Sequence, residues 1–342
     1  MEPYVTIIWL NYNSENILNI AKDSLLAIKN LDYSNFELIL VDNSSSDNSF
    51  REIGEYANSI KLKARILHSS QNLGFAGGNN FAFRHRSPQA KYVALINSDL
   101  IPKPDSLTKL VLTMESDGNI GSVQGITFNR NMTEVDSAGD YLDEALRPYL
   151  NVDKIPTDLR DITYADGSYC VVRIAALRDI QSDYLFEEEL FAYFEDALLG
   201  VKLWNNGYTV KVVPTIVGKH LRGGSSRSTF TEIQSIRNRT VAHSVIYTHF
   251  GRLYLYRIIM IDLFWSLLRL KRSPSTSSYI KAFVEGSAVG SRLKNKGINL
   301  SLYKAPYVKL HTLKILVTPR RRLKISLNDI VTIARQVTRL NR

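Results

Sequence analysis

The first 115 residues alternate between short apolar runs and amphipathic segments, and this alternation restricts the fold more than any other feature of the sequence. The apolar runs are typical of strands and lie at 4–10, 36–42, 64–69 and 92–97. Helical spacing predicts helices between and after them, at 15–29 with Ser14 as N-cap, in the segments after residues 43 and 73, and at 105–114. Strands joined by helical crossovers form a parallel sheet that is covered on both faces. We therefore predict an α/β fold with a ligand site beyond the carboxyl ends of the strands.

Polar and glycine residues follow each of these strands. The first strand ends in "LNYN", the second in "VDNSSSDNS", the fourth in "NSD", and the third leads into "NLGFAGGNN". Asp42 could accept a hydrogen bond from a nucleobase or a ribose, and the glycines would let the backbone approach a phosphate. Asp99 follows a buried strand that gains nothing from a carboxylate, so we expect it to face a ligand. Taken singly, each motif could also be a turn or a helix cap.

The remainder of the chain falls into two parts. Between about 120 and 220, short strands are predicted at 121–128, 167–173 and 208–213, with a helix at 195–206. After Thr229 the sequence predicts mainly helices, including 230–249 and 251–270, with a break at 271–278. Arg257 and Asp262 make the apolar segment 251–270 a poor transmembrane span.

The net charge of +10 is unevenly distributed. Residues 1–250 contain 24 Lys and Arg against 30 Asp and Glu, a net of −6, whereas residues 251–342 contain 19 against 3, a net of +16. The basic segment 251–342, called the rear below, suggests an anionic partner, either a membrane or a nucleic acid. The lone Cys170 rules out an internal disulfide and is predicted to be a buried structural thiol. The N-terminus lacks the features of a signal peptide, so we expect a cytoplasmic protein.

Taken together and in order, the motifs resemble those of the inverting nucleotide-sugar glycosyltransferases of family 2, in particular the rhamnosyltransferase-like branch. The resemblance runs from about 4 to 245 and includes two further motifs, "LFAYFEDALLGVKLWNNGY" and "VGKHLRGGSS". It implies the A-type glycosyltransferase fold, an α/β fold with a central, mostly parallel sheet, plus a C-terminal helical extension. With the helical pattern and the charge after Thr229, this predicts a catalytic domain at 1–228 and a basic, mainly helical region at 229–342.

The resemblance also implies roles for individual residues. Asp196 of the "ED" pair would be the catalytic base, while Asp99 and His220 would hold a divalent cation, Mg²⁺ or Mn²⁺, at the donor diphosphate. The donor-binding residues would be Asn11, Asp42, Asn72, Gly77, Asn79, Asn97 and Arg237. The sequence departs from the family pattern in two places: Asn97 replaces an aspartate of the Asp-x-Asp element, and "ALLGVK" lacks a second aspartate after the "ED" pair.

Plainer interpretations of the same residues exist. Glu195 and Asp196 could be first-turn helix acids, which the helix dipole favours, and His220 could be an ordinary loop histidine. Arg237 and Arg239 of "QSIRNR" could lie on a solvated helix face or close over the diphosphate. The run 187–189, "EEE", is predicted to be solvated loop charge.

The chemistry of the transfer matches the residue types. A cation neutralises the leaving diphosphate, and a carboxylate takes the proton of the attacking hydroxyl. We predict an inverting hexosyl- or rhamnosyltransferase that moves one sugar from a UDP or dTDP donor to a lipid-linked or growing glycan. We expect it to be non-processive because "QSIRN" lacks the tryptophan of the processive Gln-x-x-Arg-Trp motif. We expect the rear to lie on the anionic cytoplasmic face of a membrane and not to bind nucleic acid. The alternatives are a non-catalytic basic binding module on an α/β core and a nucleotidyltransferase.

Overall fold

The protein is described by a computed structural model that covers residues 2–150, 155–221, 229–249 and 276–309. Its strands are β1 (Val5–Asn11), β2 (Phe36–Asp42), β3 (Arg65–His68), β4 (Tyr92–Ile96), β5 (Leu100–Pro102), β6 (Ile120–Asn129), β7 (Val135–Ser137), β8 (Asp140–Asp143), β9 (Pro148–Leu150), β10 (Arg160–Asp161), β11 (Tyr169–Arg173), β12 (Thr209–His220), β13 (Ile246–Tyr247), β14 (Leu300–Ser301) and β15 (Tyr307–Val308). Its helices are α1 (Leu18–Lys29), α2 (Ser49–Ser59), α3 (Gly74–Arg84), α4 (Ser106–Ser116), α5 (Ile174–Asp179), α6 (Glu195–Asn205), α7 (Thr229–Val245) and α8 (Thr276–Asn295).

A mixed sheet organises the molecule, with the strand order β10-β12-β6-β11-β4-β1-β2-β3. The strands β4, β1, β2 and β3 are parallel to one another, as the alternating sequence pattern predicts. The antiparallel strand β11 lies between β4 and β6 and carries the sheet into its second half. The carboxyl ends of β1, β2, β3 and β4 therefore share one edge of the sheet.

Side chains alternate along the strands, so the sheet has a core on each face. In β1, Val5, Ile7 and Trp9 pack against α1, α2 and α4, whereas Ile8 packs on the opposite face against α3, α5 and α6. This period of two explains why the strands read as continuous apolar runs, since both faces are covered. Cys170 is a buried free thiol on the second face, as predicted, and burial raises its pKa.

The C-terminal helices are packed against the rest of the fold. Apolar residues of α7 (Val241, Val245) and α8 (Val289, Leu293) form one cluster with Leu198 of α6. After Thr229 the described residues include short strands beside the predicted helices: the helix predicted at 230–249 ends at Val245, β13 pairs with β14, and β15 pairs with β8. Whether 228–229 is a domain boundary stays a prediction.

Several predicted features lie outside the described residues. They are the helix at 251–270, most of the break at 271–278, the "RGGSS" loop after Leu221 and the basic C-terminal tail. Within the described residues, no helix combines the length and the apolar character needed to cross a membrane.

Candidate active site

The ends of β1, β2 and β3 bring three polar residues into one row. The sheet register pairs Asn11 with Asp42, and Asp42 with His68. Asn11 is fully buried, and its amide donates to the hydroxyls of Ser45 (3.0 Å) and Ser49 (3.1 Å). The hydroxyl of Ser14 donates to Asn11 and does not cap a helix, because a 3₁₀ turn precedes α1. The second strand-end loop is thereby fixed against the first.

Asp42 lies between Asn11 and His68 in this row and is held by two contacts. One carboxylate oxygen accepts from the backbone N–H of Ser45 (3.1 Å), and the other lies 3.7 Å from Nδ1 of His68. A carboxylate fixed at a sheet edge in this way can accept hydrogen bonds from a ribose or a base.

The segment that opens α3 is built around side-chain amides. Oδ1 of Asn72 accepts from the backbone N–H of Gly74 (2.9 Å) and from the amide of Asn43 (3.1 Å). Asn79 is buried, and its amide donates to the carbonyl of Phe75 (2.8 Å). Of the predicted donor-binding residues, Asn72 and Asn79 therefore shape the α3 N-terminus.

Glycine is required in this segment by close approach. Gly74 has φ +70°, and a Cβ atom there would lie 2.3 Å from the carbonyl oxygen of Phe191. A Cβ atom on Gly77 would lie 2.9 Å from Cβ of Leu73. The first turn of α3 is thus pressed against the loop that precedes α6.

Asp99 and His220 meet, as the family resemblance implies. The antiparallel pairing of β5 with β12 places Leu100 opposite His220, so the residue before β5 reaches the imidazole. Oδ1 of Asp99 lies 3.1 Å from Nε2 of His220. The sequence did not predict the third member of this group: Oδ2 of the buried Asp136 lies 2.9 Å from Nδ1 of His220.

The two carboxylates set the charge of His220. Burial opposes the charged imidazole, but the hydrogen bonds with Asp136 and Asp99 outweigh it and raise the pKa of His220 to about 10. The two carboxylates lie at opposite ring nitrogens and so cannot converge with the ring on one ion. In the described part of the chain, no three His, Cys, Asp or Glu side chains are grouped to hold a metal ion.

The donor set nevertheless suits a cation that is shared with a diphosphate. Asp136 can hold the Nδ1 proton of His220, which would leave Nε2 as a ligand beside Asp99. A cation bound there would take the place of the Nε2 proton. Magnesium and manganese commonly use few protein ligands and complete their shell with phosphate oxygens and water.

A short loop connects this group to Asp196. The backbone N–H of Asn97 donates to the carbonyl of Ser168 (2.9 Å), and the N–H of Gly167 donates to Oδ2 of Asp196 (3.2 Å). Residues 166–168 therefore place the end of β4 beside the first turn of α6.

The surroundings of Asp196 suit a base at neutral pH. Burial and then the charge of Asp166 raise its pKa to about 7, against the lowering effect of the N–H groups of Gly167 and Ala197. Glu195 is buried, and its Oε2 has no hydrogen-bond partner among the described residues. Burial, with the neighbouring charge of Asp196, raises the pKa of Glu195 well above its ordinary value. Of the two acids, Asp196 is the one that can ionise near neutral pH.

Arg237 has partners outside the donor-binding group. Its guanidinium donates to the carbonyl of Glu189 (2.9 Å) and to Oδ1 of Asn238 (2.8 Å), and it lies 3.9 Å from Glu285 of α8. Neither Arg237 nor Arg239 lies on a fully solvated face, since both are partly buried. A donor-binding role for Arg237 stays a prediction.

The expectation that 187–189 is solvated loop charge is wrong for Glu187 and Glu189, whereas Glu188 is exposed, as expected, and pairs with Arg84 (2.9 Å). Glu187 is buried, forms an ion pair with Lys202 and accepts from the hydroxyl of Tyr184 (3.0 Å). Glu189 pairs with Lys296 of the C-terminal region (2.5 Å). A run of like charges is stable here because each carboxylate has a partner that is distant in sequence.

Comparisons with known proteins identify the family of the chain. The sequence pattern described as Glycosyl transferase family 2 matches residues 6–181. An uncharacterised glycosyltransferase of Haemophilus influenzae is 30% identical over 118 residues, which is 34% of this chain and 35% of that protein. The Escherichia coli UDP-Glc:alpha-D-GlcNAc-diphosphoundecaprenol beta-1,3-glucosyltransferase WfgD is 29% identical over 126 residues, 36% of this chain and 46% of that protein. The matches therefore span less than half the length of these two relatives.

Solved structures share the fold. Staphylococcus aureus TarS 1-349 in complex with UDP-GlcNAc has a TM-score of 0.53 at 16% identity, covering 83% of this chain and 81% of that one. The mannosyltransferase PcManGT of Pyrobaculum calidifontis, in complex with GDP-Man and Mn²⁺, has a TM-score of 0.52 at 17% identity, covering 87% and 80%. The chain has the A-type glycosyltransferase fold.

Proposed function

Since the chain belongs to glycosyl transferase family 2, we propose that it is an inverting, non-processive enzyme that moves one sugar from a nucleoside diphosphate sugar to an acceptor hydroxyl. One observation carries the proposal: residues 167–168 hold Asp196 beside the strand end that bears Asn97 and Asp99. Because the base and the diphosphate site adjoin the same strand end, an acceptor hydroxyl can lose its proton to Asp196 while the sugar leaves the diphosphate.

Asp196 acts as the general base in this proposal. With a pKa of about 7, its carboxylate is sufficiently ionised at neutral pH and sufficiently basic to accept a hydroxyl proton. Direct attack by the hydroxyl needs only one ionised carboxylate, and this requirement supports inversion at the anomeric carbon. Glu195, with its raised pKa, stays protonated beside it.

The diphosphate end of the donor lies at Asp99 and His220. These two side chains would hold a divalent cation, and Asp136 would orient the imidazole behind them. When bound, the cation supplies neutralisation of the charge on the leaving diphosphate. The Mn²⁺ named in the PcManGT complex supports this assignment by analogy of fold.

The nucleoside lies on the Asn11–Asp42 side of the sheet edge. We favour a uridine or thymidine diphosphate donor, a choice supported by the UDP-sugars in the names of WfgD and the TarS complex. A lipid-linked glycan acceptor is supported by the diphosphoundecaprenol in the name of WfgD. The basic rear would then bring the enzyme to an anionic membrane surface on the cytoplasmic side.

A donor screen with analysis of the product tests the reaction class. The protein is incubated with Mn²⁺ and, in turn, UDP-glucose, UDP-GlcNAc and dTDP-rhamnose, and nucleotide release is measured with and without undecaprenyl-diphosphate-linked GlcNAc. We expect slow release from one donor, acceleration by acceptor, and a proton NMR spectrum of the product with the anomeric configuration opposite to that of the donor. A product that retains the donor configuration would contradict inversion, and two or more sugars added in one encounter would contradict the non-processive mode.

A further inference from the structure

The segment that leads into Asp196 has an unusual backbone. We call residues 187–196 the base loop. Phe191 (φ 61°, ψ −64°), Tyr193 (φ 70°) and Phe194 (φ 79°, ψ −6°) all have positive φ, and none is a glycine. Bulky residues rarely adopt such conformations, and they persist only where the surroundings enforce them. The base loop must therefore be held by contacts from elsewhere.

Side chains of α7 supply these contacts. Nδ2 of Asn238 lies within hydrogen-bond distance of the carbonyl oxygens of Leu190 (2.8 Å), Ala192 (2.8 Å) and Tyr193 (2.6 Å), so its two protons are shared among three acceptors. Nε2 of Gln234 donates to the carbonyl of Leu190 as well (2.8 Å). Asn238 and Leu190 are both buried, so the carbonyl of Leu190 would have no water to replace a missing donor, whereas Ala192 and Tyr193 are half-buried.

Arg237 fixes the direction of the Asn238 amide. A guanidinium only donates, so the Asn238 atom that faces Nη1 of Arg237 at 2.8 Å must be the carbonyl oxygen. The NH₂ group then has to face the base loop. The same guanidinium donates to the carbonyl of Glu189 (2.9 Å), which extends the contact to the start of the loop.

Helix α8 supports α7 from the other side. A Cβ atom on Gly286 would lie 2.4 Å from the carbonyl oxygen of Arg237, and one on Gly290 would lie 2.4 Å from Cβ of Ser244. The two helices are therefore in backbone contact at the turn that bears Arg237. The ion pair between Lys296 and Glu189 (2.5 Å) adds a direct link from the C-terminal region to the base loop.

The base loop also contacts the first turn of α3, which bears the predicted donor-binding residue Gly77. The backbone N–H of Ala76, in the first turn of α3, donates to the carbonyl of Phe191 (2.9 Å). A shift of the loop would thus move Asp196 and disturb the first turn of α3 together.

We propose that Gln234, Arg237 and Asn238 are positioning residues, which hold the base loop in its strained conformation and so keep Asp196 at the amide of Gly167. The catalytic consequence rests on the function proposed above, whereas the dependence of the loop on α7 does not. The motif "QSIRN" thereby gains a role as a brace for the loop.

Hydrogen exchange measured by mass spectrometry tests the brace without any substrate. In Asn238→Asp the side chain keeps its shape and its acceptor for Arg237 but loses the donor group. We expect the amides of 190–192 to exchange faster by at least roughly tenfold, because local opening becomes easier when buried carbonyls lose their partners. Gln234→Leu should give a smaller increase in the same peptide. The matched control is Thr240→Val, two residues further along α7, where the buried hydroxyl donates only within the helix to Ile236 (2.9 Å).

The outcomes separate the brace from the proposed function. Faster exchange in the base loop, extending at most to the first turn of α3 that it contacts, supports the brace, even if no donor is ever turned over. Exchange in Asn238→Asp equal to that in Thr240→Val contradicts it. The brace is also contradicted if exchange in Asn238→Asp rises evenly over the whole chain while the base loop of Gln234→Leu exchanges as in the wild type.

Activity then tests the catalytic consequence. If the wild type releases nucleotide, Asn238→Asp should lower kcat by at least roughly tenfold and move the acidic limb of its pH profile to lower pH, because water reaching Asp196 lowers its raised pKa. A lower kcat with an unchanged pH profile, matched in Thr240→Val, would contradict a positioning role.

Discussion

The two carboxylates that the family resemblance singled out have different surroundings. Asp99 faces the ring of His220, which two carboxylates keep charged, whereas Asp196 faces two N–H groups and the like charge of Asp166. The first environment suits a carboxylate that binds a cation in place of the imidazole proton, and the second suits a carboxylate that exchanges protons near neutral pH. The chemistry assigned to each residue follows from this difference.

The raised pKa of Asp196 predicts a pH dependence of both rate and stability. The base must be ionised, so kcat should rise about tenfold per pH unit below pH 7 and level off above it. The folded-state pKa lies above the unfolded one, so the associated stability is complete below the unfolded pKa near 4 and is lost as the pH rises through about 7. We expect the melting temperature of the wild type to fall between pH 5 and 8, and that of Asp196→Asn to fall less. Parallel melting curves for both proteins across this range would contradict the shifted pKa.

Asp136 should control cation binding through His220. Asp136→Ala removes the partner of Nδ1, and such losses typically weaken metal affinity by about 10–100-fold. Calorimetric titration of Mn²⁺ in the presence of UDP measures the effect. The control is Glu134→Gln, which neutralises a carboxylate in the same hairpin. Equal Mn²⁺ affinity in Asp136→Ala and Glu134→Gln would contradict the orienting role.

The sequence identified those site residues whose position depends on local pattern. Asp42 and Asp99 were predictable because each follows a strand, and the carboxyl ends of parallel strands meet. Asp136, Asp166 and Asn238 were not, because their contacts depend on partners far along the chain; Asp136 and His220 are 84 residues apart. Glu187 and Glu189 were misinterpreted for the same reason, since Lys202 and Lys296 are remote from them in sequence.

At the scale of elements, periodicity predicted the first half of the fold well and the second half less well. The strands β1 to β4 and the helices between them lie where the pattern placed them, because their faces are buried in a regular alternation. Strand β12 runs to His220, beyond the predicted 208–213. Register shifts interrupt its pairing with β6, so the sequence pattern does not show the full length of the strand. The short strands of the C-terminal region carry too few residues for any period to be recognised.

Two glycine substitutions should have opposite effects on stability, because one glycine lies at the contact between α7 and α8 and the other faces open space. Gly286→Ala should destabilise the protein by roughly 1–3 kcal/mol, because its Cβ atom would meet the carbonyl of Arg237. Gly54→Ala, in α2 with nothing within 4 Å of its Cβ position, should stabilise it by up to about 1 kcal/mol. Urea unfolding measures both. A neutral or stabilising effect of Gly286→Ala would show that the two helices can separate without loss.

At the scale of the whole molecule, the charge asymmetry predicts a membrane-facing rear. Reversing Arg320, Arg321 and Arg322 to Glu should weaken binding to anionic liposomes by more than roughly 100-fold, because losing each basic residue near the surface costs about 1 kcal/mol and the new carboxylates are repelled. The control reverses Lys61, Lys63 and Arg65, which are exposed and lie outside the basic segment 251–342. Liposome flotation at low and high salt measures both proteins. Equal loss of binding in the two triple variants, or binding to neutral vesicles alone, would contradict a specific basic rear.

The central claim is that Asp196 is the base of a sugar transfer. The most direct test compares sugar transfer and donor binding in the wild type, in Asp196→Asn and in the control Asp158→Asn, whose carboxylate is exposed. We predict that Asp196→Asn binds the donor found in the screen with a Kd within about threefold of the wild type but transfers at least ~10²-fold more slowly, while Asp158→Asn does both normally. Transfer by Asp196→Asn within a few fold of the wild-type rate would contradict the account, because another group would then have to accept the proton.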